Sequence, residues 1–309
     1  MDVSIVIVSY NTSRLLDECI HSIKRETRCA YEIIVVDNAS DDGSCRMLRE
    51  KHPDVTLIEN RQNEGFAKAN NQGFALASGK YFLMLNPDIL LLDGAIDKLV
   101  EFMDQHQDVG ICGPRNIGRD GKLQYNCDHF PSLWNTFWEY TNFVNRFPAV
   151  PLFRRSHMLY WDYAAQRDVD RIMGCSLMIR AKVFEKLGGL DHNYFMYFEE
   201  TDLCFQARKS GSRVVYLPHA AIIHYGGESS KSQTSDAVVN RTISAYFLKS
   251  QYYFFRKNYG FLPMLAMRVL DFCYGSALLL RNSIRIDKTK MEHSRIKGRA
   301  LLMNAFRFL

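Results

Sequence analysis

An apolar, β-branched stretch opens the chain, Val3-Ser4-Ile5-Val6-Ile7-Val8-Ser9, and the polar pair Tyr10-Asn11 follows it directly. A continuous apolar run of this length is typical of a strand buried on both faces, as in a parallel sheet. No basic segment precedes it, so it predicts a strand rather than a signal peptide. We therefore expect the chain to stay in the reducing cytoplasm.

Strand and helix patterns then alternate as far as residue 113. Strand patterns occupy 32–37, 55–59, 80–85 and 110–113, and helical spacing occupies 65–77 and 93–106, with another helix capped by Thr12. This alternation predicts an α/β fold on a mostly parallel sheet with helices on both faces. Such sheets bind ligands beyond the carboxyl ends of their strands. Those ends are Ser9-Tyr10-Asn11, Asp37-Asn38 and Asn86-Pro87-Asp88.

The second half of the chain is less regular. Residues 114–170 are rich in aromatic side chains and predict a loop-rich insertion that covers a cleft. Regular patterns resume at 171–180, followed by a helix at 181–187, a helix that ends near 210, and strands at 213–217 and 220–224.

Composition separates the chain into a body and a tail. The 309 residues are 47% hydrophobic and 24% charged, which is typical of a globular protein. The net charge of +5 is uneven, because from Arg241 onward thirteen Lys and Arg face three Asp and Glu, so the tail carries +10 and the first 240 residues −5. Eight cysteines without a C-x-x-C pair predict buried, reduced thiols.

The tail has a pattern typical of membrane surfaces. Aromatic residues crowd 246–261, and the apolar window 261–280 is interrupted by Pro263, Arg268 and Asp271. Central charges disfavour a spanning helix, whereas aromatic and basic residues together favour one lying on an anionic leaflet. The alternative is that these helices pack on the rest of the chain or on a second copy in a homo-oligomer. No recognised module supports nucleic acid as a partner.

A dense acidic block follows the aromatic residues of 194–198. It is Glu199-Glu200-Thr201-Asp202. Three carboxylates so close together among apolar rings predict at least one raised pKa, which makes a general base usable near neutral pH. The alternative is an acidic first turn that complements a helix dipole without any catalytic role.

Two further residues are candidates for a metal site. Asp88 at a strand end can help to hold a divalent cation against phosphate oxygens, or it can simply cap the helix after it. His224 is a good ligand if it converges with Asp88, although a lone histidine is more often structural. The sequence contains no G-x-G-x-x-G, P-loop or G-x-S-x-G motif. This excludes the usual dinucleotide, P-loop and hydrolase sites.

Several motifs, in order, resemble family 2 inverting glycosyltransferases of the rhamnosyltransferase-type branch. They are residues 4–11, 35–43, Asn63 to Gly73, Leu85-Asn86-Pro87-Asp88, and 188–204, so the resemblance covers roughly 2–228. It implies a GT-A type nucleotide-sandwich fold at 1–236, with a nucleotide-binding half at 1–113 and an acceptor half with the base at 114–236. Residues 237–309 are then a helical extension.

The resemblance also implies roles for individual residues. Asp37 contacts the pyrimidine, assisted by Ser9, Tyr10 and Asn11, and the donor site further includes Asn38, Asn63, Lys68, Asn70, Asn86 and Asp88. Asp88 matches the last Asp of the family's D-x-D metal motif, with Asn86 in place of the first, and His224 completes a site for Mg²⁺ or Mn²⁺. Glu200 occupies the position of the base, supported by Glu199 and Asp202.

We therefore expect an inverting, metal-assisted glycosyltransferase on the inner face of the cell membrane. The branch implies dTDP-L-rhamnose as the donor and a saccharide or lipid-linked saccharide as the acceptor, in synthesis of a cell-surface polysaccharide. One alternative is another UDP- or dTDP-sugar, such as galactofuranose or a hexosamine. Another is a non-catalytic membrane-associated scaffold, which the missing carboxylate at Asn86 keeps open.

Overall fold

The computed structural model describes residues 1–147, 150–154, 158–226, 236–282 and 288–305. The chain divides into two compact units. The first consists of Met1–Phe130, Arg155–Tyr194 and Glu199–Ser229, and the second of Pro131–Arg154, Phe195–Phe198 and Ser230–Leu309. The second unit thus includes, beside the C-terminal helices, a segment that the sequence placed with the catalytic part.

A ten-stranded sheet forms the centre of the first unit. Its strands are β1 (Val3–Ser9), β2 (Tyr31–Asp37), β3 (Thr56–Glu59), β4 (Tyr81–Leu85), β5 (Ile89–Leu92), β6 (Val109–Ile117), β7 (Leu123–Gln124), β9 (Arg167–Asp168), β11 (Ser176–Arg180) and β12 (Arg213–His224). The main path is β3-β2-β1-β4-β11-β6-β12-β5, and β11 and β5 run antiparallel to their neighbours in a mostly parallel sheet. Strands β8 (Cys127–Asp128) and β10 (Arg171–Ile172) form a separate small sheet.

Eleven helices lie within the described residues. They are α1 (Ser13–Glu26), α2 (Ser44–Lys51), α3 (Phe66–Phe74), α4 (Ala95–Gln105), α5 (Leu133–Tyr140), α6 (Phe143–Arg146), α7 (Ala181–Leu187), α8 (Glu199–Lys209), α9 (Asp236–Tyr259), α10 (Phe261–Asn282) and α11 (Lys288–Ala305). Their apolar faces supply the core, as in α1, where Leu16, Cys19, Ile20 and Ile23 are fully buried.

Three details of the sequence prediction are wrong. Thr12 precedes α1, but its hydroxyl pairs with Ser9 Oγ at 3.0 Å and makes no cap hydrogen bond to the helix. The region 114–170 contains α5, for which Ser132 Oγ accepts a hydrogen bond from the Asn135 N–H as a true cap. The two strands predicted at 213–224 are one strand, β12, with register shifts after Arg213 and after Leu217.

The second unit is helical and contains a buried polar centre. Asp271 of α10 is fully buried and accepts hydrogen bonds from Tyr140 of α5 at 2.5 Å and Tyr252 of α9 at 2.7 Å. Burial raises the pKa of Asp271 to about 6, against the lowering effect of the two tyrosines. One stretch, Phe261–Arg281, is long and apolar enough to cross a membrane by length and composition alone.

Candidate active site

The first three strand ends meet at one edge of the sheet. Strands β1 and β2 pair in parallel with Ser9 opposite Asp37, and β4 pairs with β1 so that Leu85 lies opposite Ile7. The segment that continues β4 to Asp88 therefore emerges beside the ends of β1 and β2.

The loops after β1 and β2 are joined by side-chain hydrogen bonds. Asn11 has a left-handed backbone (φ 54°), and its Oδ1 accepts from the Asp41 N–H at 2.8 Å. Asp37 is buried, and its Oδ2 accepts from the Ser40 N–H at 2.8 Å, while its Oδ1 has no hydrogen-bond partner in the described part of the chain. Asn38 Nδ2 donates to the Gly65 carbonyl at 3.3 Å, and Tyr10 is exposed. One buried carboxylate oxygen of Asp37 is thus available to a ligand.

Helix α3 presents the next predicted residues. Asn63 Oδ1 accepts from the Gly65 N–H at 3.0 Å and so organises the turn before the helix. Lys68 Nζ pairs with Glu64 at 2.5 Å. Asn70 is buried, its Nδ2 donates to the Phe66 carbonyl at 2.9 Å, and its Oδ1 has no partner among the described residues.

Asp88 and His224 converge as the metal hypothesis requires. Asp88 precedes strand β5 rather than a helix, so it is not a helix cap. It is 2% exposed, and within the described residues neither of its carboxylate oxygens has a hydrogen-bond partner. His224 lies opposite Ile89 in the β12–β5 pair, which places its Nε2 at 3.7 Å from Asp88 Oδ1.

The second ring nitrogen of His224 is held in place. His224 Nδ1 lies 2.9 Å from Gln124 Oε1, and the Gln124 Nε2 donates to the His224 carbonyl at 3.0 Å. Burial lowers the pKa of His224 despite the opposing charge of Asp88. A neutral imidazole with Nδ1 as the donor carries no proton on Nε2, the nitrogen that lies 3.7 Å from Asp88 Oδ1, and a metal ligand needs such an unprotonated nitrogen.

The acidic block forms the first turn of α8 and is almost fully buried. Arg171 Nη1 lies 3.4 Å from Glu200 Oε1, and its Nη2 donates to Asp128 Oδ2 at 3.0 Å. Strands β8 and β10 bring the two partners together, because Arg171 lies opposite Asp128 in their register. Burial lowers the pKa of Arg171, but the negative charges of Asp128 and Glu200 have the larger combined effect, so the pKa of Arg171 is raised. The guanidinium thus places one positive charge between the carboxylates of Asp128 and Glu200.

The other two carboxylates of α8 differ from Glu200. Glu199 is buried with Oε2 unpartnered in the described part of the chain, and burial followed by the charge of Glu200 raises its pKa well above the ordinary value. Asp202 Oδ1 accepts from Gln206 Nε2 at 3.3 Å, one turn further along the helix. The block thus joins Glu199, whose raised pKa favours the neutral form, to Glu200, which contacts Arg171.

The start of β11 connects the base candidate to the strand end at Asp88. The Cys175 carbonyl accepts from the Asn86 N–H at 2.9 Å, and a Cβ on the neighbouring Gly174 would lie only 3.2 Å from Glu200 Cβ. Burial raises the pKa of the Cys175 thiol to about 12, and the nearby charges of Asp88 and Glu200 also raise it. Asp88 and Glu200 therefore flank the same short segment.

Comparison with known proteins identifies the family. The model of glycosyl transferase family 2 matches residues 4–187, more than half of the chain. The chain belongs to glycosyl transferase family 2.

The relatives of this glycosyltransferase include proteins named as rhamnosyltransferases. It is 26% identical over 244 residues to N-acetylglucosaminyl-diphospho-decaprenol L-rhamnosyltransferase of Mycobacterium tuberculosis, covering 73% of this chain and 76% of the relative. It is 25% identical over 244 residues to rhamnosyltransferase WbbL of Escherichia coli, and this match covers 76% of this chain and 88% of WbbL.

Solved structures share the fold. Mannosyltransferase PcManGT from Pyrobaculum calidifontis, in complex with GDP-Man and Mn²⁺, has a TM-score of 0.60 at 17% identity. The match covers 99% of this chain and 88% of the PcManGT chain. TarS 1–349 of S. aureus, in complex with UDP-GlcNAc, has a TM-score of 0.54 at 14% identity. The match covers 99% of this chain and 90% of the TarS chain. The glycosyltransferase has the GT-A type fold expected from the sequence.

Sequence reasoning missed Arg171, Asp128 and Gln124, which position the predicted residues. None belongs to a quoted motif, and each acts through a partner at least 29 positions away. It also missed Asn71, which accepts from the Leu190 N–H at 2.9 Å and donates to the Leu190 carbonyl at 2.7 Å, and so fixes the Gly188-Gly189-Leu190-Asp191 turn before the acidic block. Only the position of Asn71 within the Asn63–Gly73 motif gave a signal.

A second group of possible ligands lies away from these residues. Asp17, His21 and His52 have ligand atoms within 4.8 Å of one another. Lysine side chains already hold this group, because Lys51 Nζ lies 2.5 Å from Asp17 Oδ2 and Lys24 Nζ 3.3 Å from His52 Nδ1. We interpret the group as an ion network between α1 and α2.

Proposed function

We propose that this glycosyltransferase moves L-rhamnose from dTDP-rhamnose to a hydroxyl of a lipid-linked saccharide, with inversion, during synthesis of a cell-surface polysaccharide. The observation that carries the proposal is Glu200, a buried carboxylate held by Arg171 beside the strand end that carries Asp88. The two relatives named as rhamnosyltransferases support the sugar, and the decaprenol in the name of one supports the lipid-linked acceptor.

Glu200 is the proposed general base. It takes the proton of an acceptor hydroxyl while that oxygen attacks the anomeric carbon of the donor. The bond from this carbon to the diphosphate oxygen breaks, and its electron pair leaves with the nucleoside diphosphate. The transition state resembles an oxocarbenium ion, as in glycoside hydrolysis. A single displacement of this kind inverts the anomeric centre and requires only one base.

The neighbours of Glu200 have separate tasks. Arg171 places a positive charge beside Glu200 in a buried place, and the raised pKa of Glu199 favours its neutral form, which limits repulsion between the two neighbouring carboxylates. Asp202, one position beyond Thr201, is proposed to contact the hydroxyls of the acceptor. Removal of the Arg171 charge is accordingly expected to slow transfer at acidic pH.

Asp88 and His224 fit a divalent cation, Mg²⁺ or Mn²⁺. Among the described residues, neither buried carboxylate oxygen of Asp88 has a hydrogen-bond partner, and with the imidazole of His224 they form a donor set suited to such an ion. When bound, the cation neutralises negative charge on the diphosphate of the donor. In the residue pattern Asn86 stands in place of a first carboxylate, so the site carries one negative charge fewer than a D-x-D motif.

The rest of the donor site is proposed at the strand ends. Asp37 offers to the N–H of a pyrimidine a buried carboxylate oxygen that has no partner in the described part of the chain, between the loops of Tyr10-Asn11 and Asn38. Asn63, Lys68, Asn70 and Asn86 lie on the segments assigned to the ribose, diphosphate and sugar. These residues recognise the nucleotide, and no side chain among them selects rhamnose. A UDP-sugar donor is therefore the second candidate, favoured by the likeness to TarS with UDP-GlcNAc.

A thermal-shift panel of sugar nucleotides, with and without Mn²⁺, tests the proposal. A donor well above its dissociation constant should stabilise the protein by about 2–4 kcal/mol. We expect dTDP-rhamnose with Mn²⁺ to give the largest shift. A shift with a UDP-sugar alone contradicts the donor, and no shift with any sugar nucleotide favours the non-catalytic scaffold.

A further inference from the structure

Helix α10 of the helical unit turns its charges inward. Arg268 is 5% exposed and its Nη1 donates to the Ala305 carbonyl of α11 at 2.9 Å, while Asp271 is fully buried between Tyr140 and Tyr252. These are the two charges that interrupt the apolar window in the sequence. Both are satisfied inside the unit, so they do not interrupt the outer face of the helix.

The outer face of α10 is apolar along its length. We call it the α10 stripe, and its exposed residues are Leu262, Leu265, Ala266, Val269, Phe272, Cys273, Ala277 and Leu280. Spacings of three and four place them on one side of the helix, over about 27 Å at 1.5 Å per residue. Leu262 is 74% exposed, Val269 54% and Leu280 69%. Apolar side chains exposed in so continuous a row usually mark an interaction surface.

Basic residues stand at both ends of the stripe. Arg256 and Lys257 close α9 just before it, and Arg281 follows Leu280; all three are exposed. An apolar helix face bounded by cationic side chains matches the interface of an anionic bilayer. There the acyl chains contact the α10 stripe, and the lipid phosphates contact the arginine and lysine side chains. A second copy of the chain would bring like charges together at the same ends.

The buried side of α10 decides between lying on a membrane and crossing it. A spanning helix would carry Arg268 and Asp271 into the hydrocarbon together with their partners from α5, α9 and α11. A helix that exposes one apolar face and buries the other in protein satisfies both charges without that cost. We propose that the α10 stripe binds the surface of an anionic membrane, with its axis in the plane of the bilayer.

Flotation of the full chain with lipid vesicles tests this surface. The vesicles are phosphatidylcholine alone or mixed with phosphatidylglycerol, and the variant is Leu262→Glu combined with Val269→Glu. Both side chains are exposed, so folding should be unaffected and thermal unfolding should match the parent. We expect the variant to bind mixed vesicles at least about tenfold more weakly, because two apolar groups that enter the lipid are lost.

A matched control makes the result specific. Leu76 is 55% exposed and belongs to the first unit, so Leu76→Glu makes the same type of substitution at an exposed leucine elsewhere, with one negative charge against the two of the double variant. We expect it to bind vesicles as the parent does, and the parent to bind phosphatidylcholine alone much more weakly than the mixture.

Four results would overturn the inference. They are unchanged binding by the double variant, equal loss with Leu76→Glu, binding independent of phosphatidylglycerol, and resistance of the bound parent to alkaline carbonate, which indicates a spanning helix. A change of oligomeric state in the double variant, seen by sedimentation without lipid, would assign the stripe to a second copy. Vesicle binding needs neither donor nor acceptor, so failure here is distinguishable from failure of the proposed function.

Discussion

Arg171→Met should have two separate consequences, one for stability and one for the pH dependence of transfer. The guanidinium lies 3.0 Å from Asp128 Oδ2 and 3.4 Å from Glu200 Oε1, and the three side chains are only 17%, 10% and 12% exposed. Removing one partner of a buried pair leaves the remaining charge uncompensated and costs about 3–5 kcal/mol. We expect a loss near that range in urea unfolding.

The effect on activity has a definite sign. Arg171→Met takes a favourable positive charge away from the carboxylate that must accept the proton of the acceptor. The acidic limb of the kcat/KM profile should therefore move to higher pH, and activity should recover partly as the pH rises. Arg171→Lys keeps a charge but loses the two-pronged contact, so we expect an intermediate profile.

Arg213→Met is the matched control. Arg213 also bridges two carboxylates, Asp108 and Asp168, but it is 41% exposed, so its loss should cost no more than about 1 kcal/mol and leave the pH profile unchanged. If Arg171→Met lost stability with an unchanged acidic limb, Arg171 would be structural and the account of how Glu200 is kept charged would be wrong.

Three other variants test separate parts of the structure. Asp88→Asn should abolish the stabilisation of a nucleotide complex by Mn²⁺ in thermal shift while keeping the fold; retained Mn²⁺ dependence would exclude Asp88 as a ligand. Gly174→Ala places a Cβ at 3.2 Å from Glu200 Cβ and should lower kcat about tenfold or more, with the KM of the donor nearly unchanged; a normal kcat would mean that Glu200 tolerates displacement. Burial raises the pKa of Asp271 from 3.8 to about 6, so the folded state is most stable below pH 3.8 with respect to this group and loses about 3 kcal/mol as the pH rises through 6. Asp271→Asn should remove that component from stability measured between pH 4 and 7, and an unchanged slope would contradict the shift.

The strands and the strand-end residues were predictable because their signal is local. Strand β1 has the predicted bounds, Val3–Ser9, because an unbroken β-branched run has few other conformations in a globular protein. The short β5 was missed, since four apolar residues after Asn86-Pro87-Asp88 do not distinguish a strand from the start of a helix. That difference decided whether Asp88 was a cap or a free carboxylate.

The positioning residues were not predictable because their partners are distant in sequence. Arg171 meets Asp128 only through the two-residue strands β8 and β10, which have no periodicity to detect. In α10, Arg268 and Asp271 appear in the sequence as interruptions of an apolar window. The hydrogen bonds that pair these two charges come from distant parts of the chain. Arg268 donates to Ala305, 37 positions away, and Asp271 accepts from Tyr140, 131 positions away.

The most direct test of the account is Glu200→Gln, measured for nucleotide binding and for transfer. Glutamine keeps the size of the side chain but cannot accept the proton of the acceptor. We expect unchanged thermal stabilisation by the sugar nucleotide with Mn²⁺, together with a loss of transfer of about 10²–10⁴-fold. Glu199→Gln is the control, because the raised pKa of Glu199 favours its neutral form, so we expect a much smaller loss of transfer. Near-normal transfer by Glu200→Gln would contradict the assignment of Glu200 as the base.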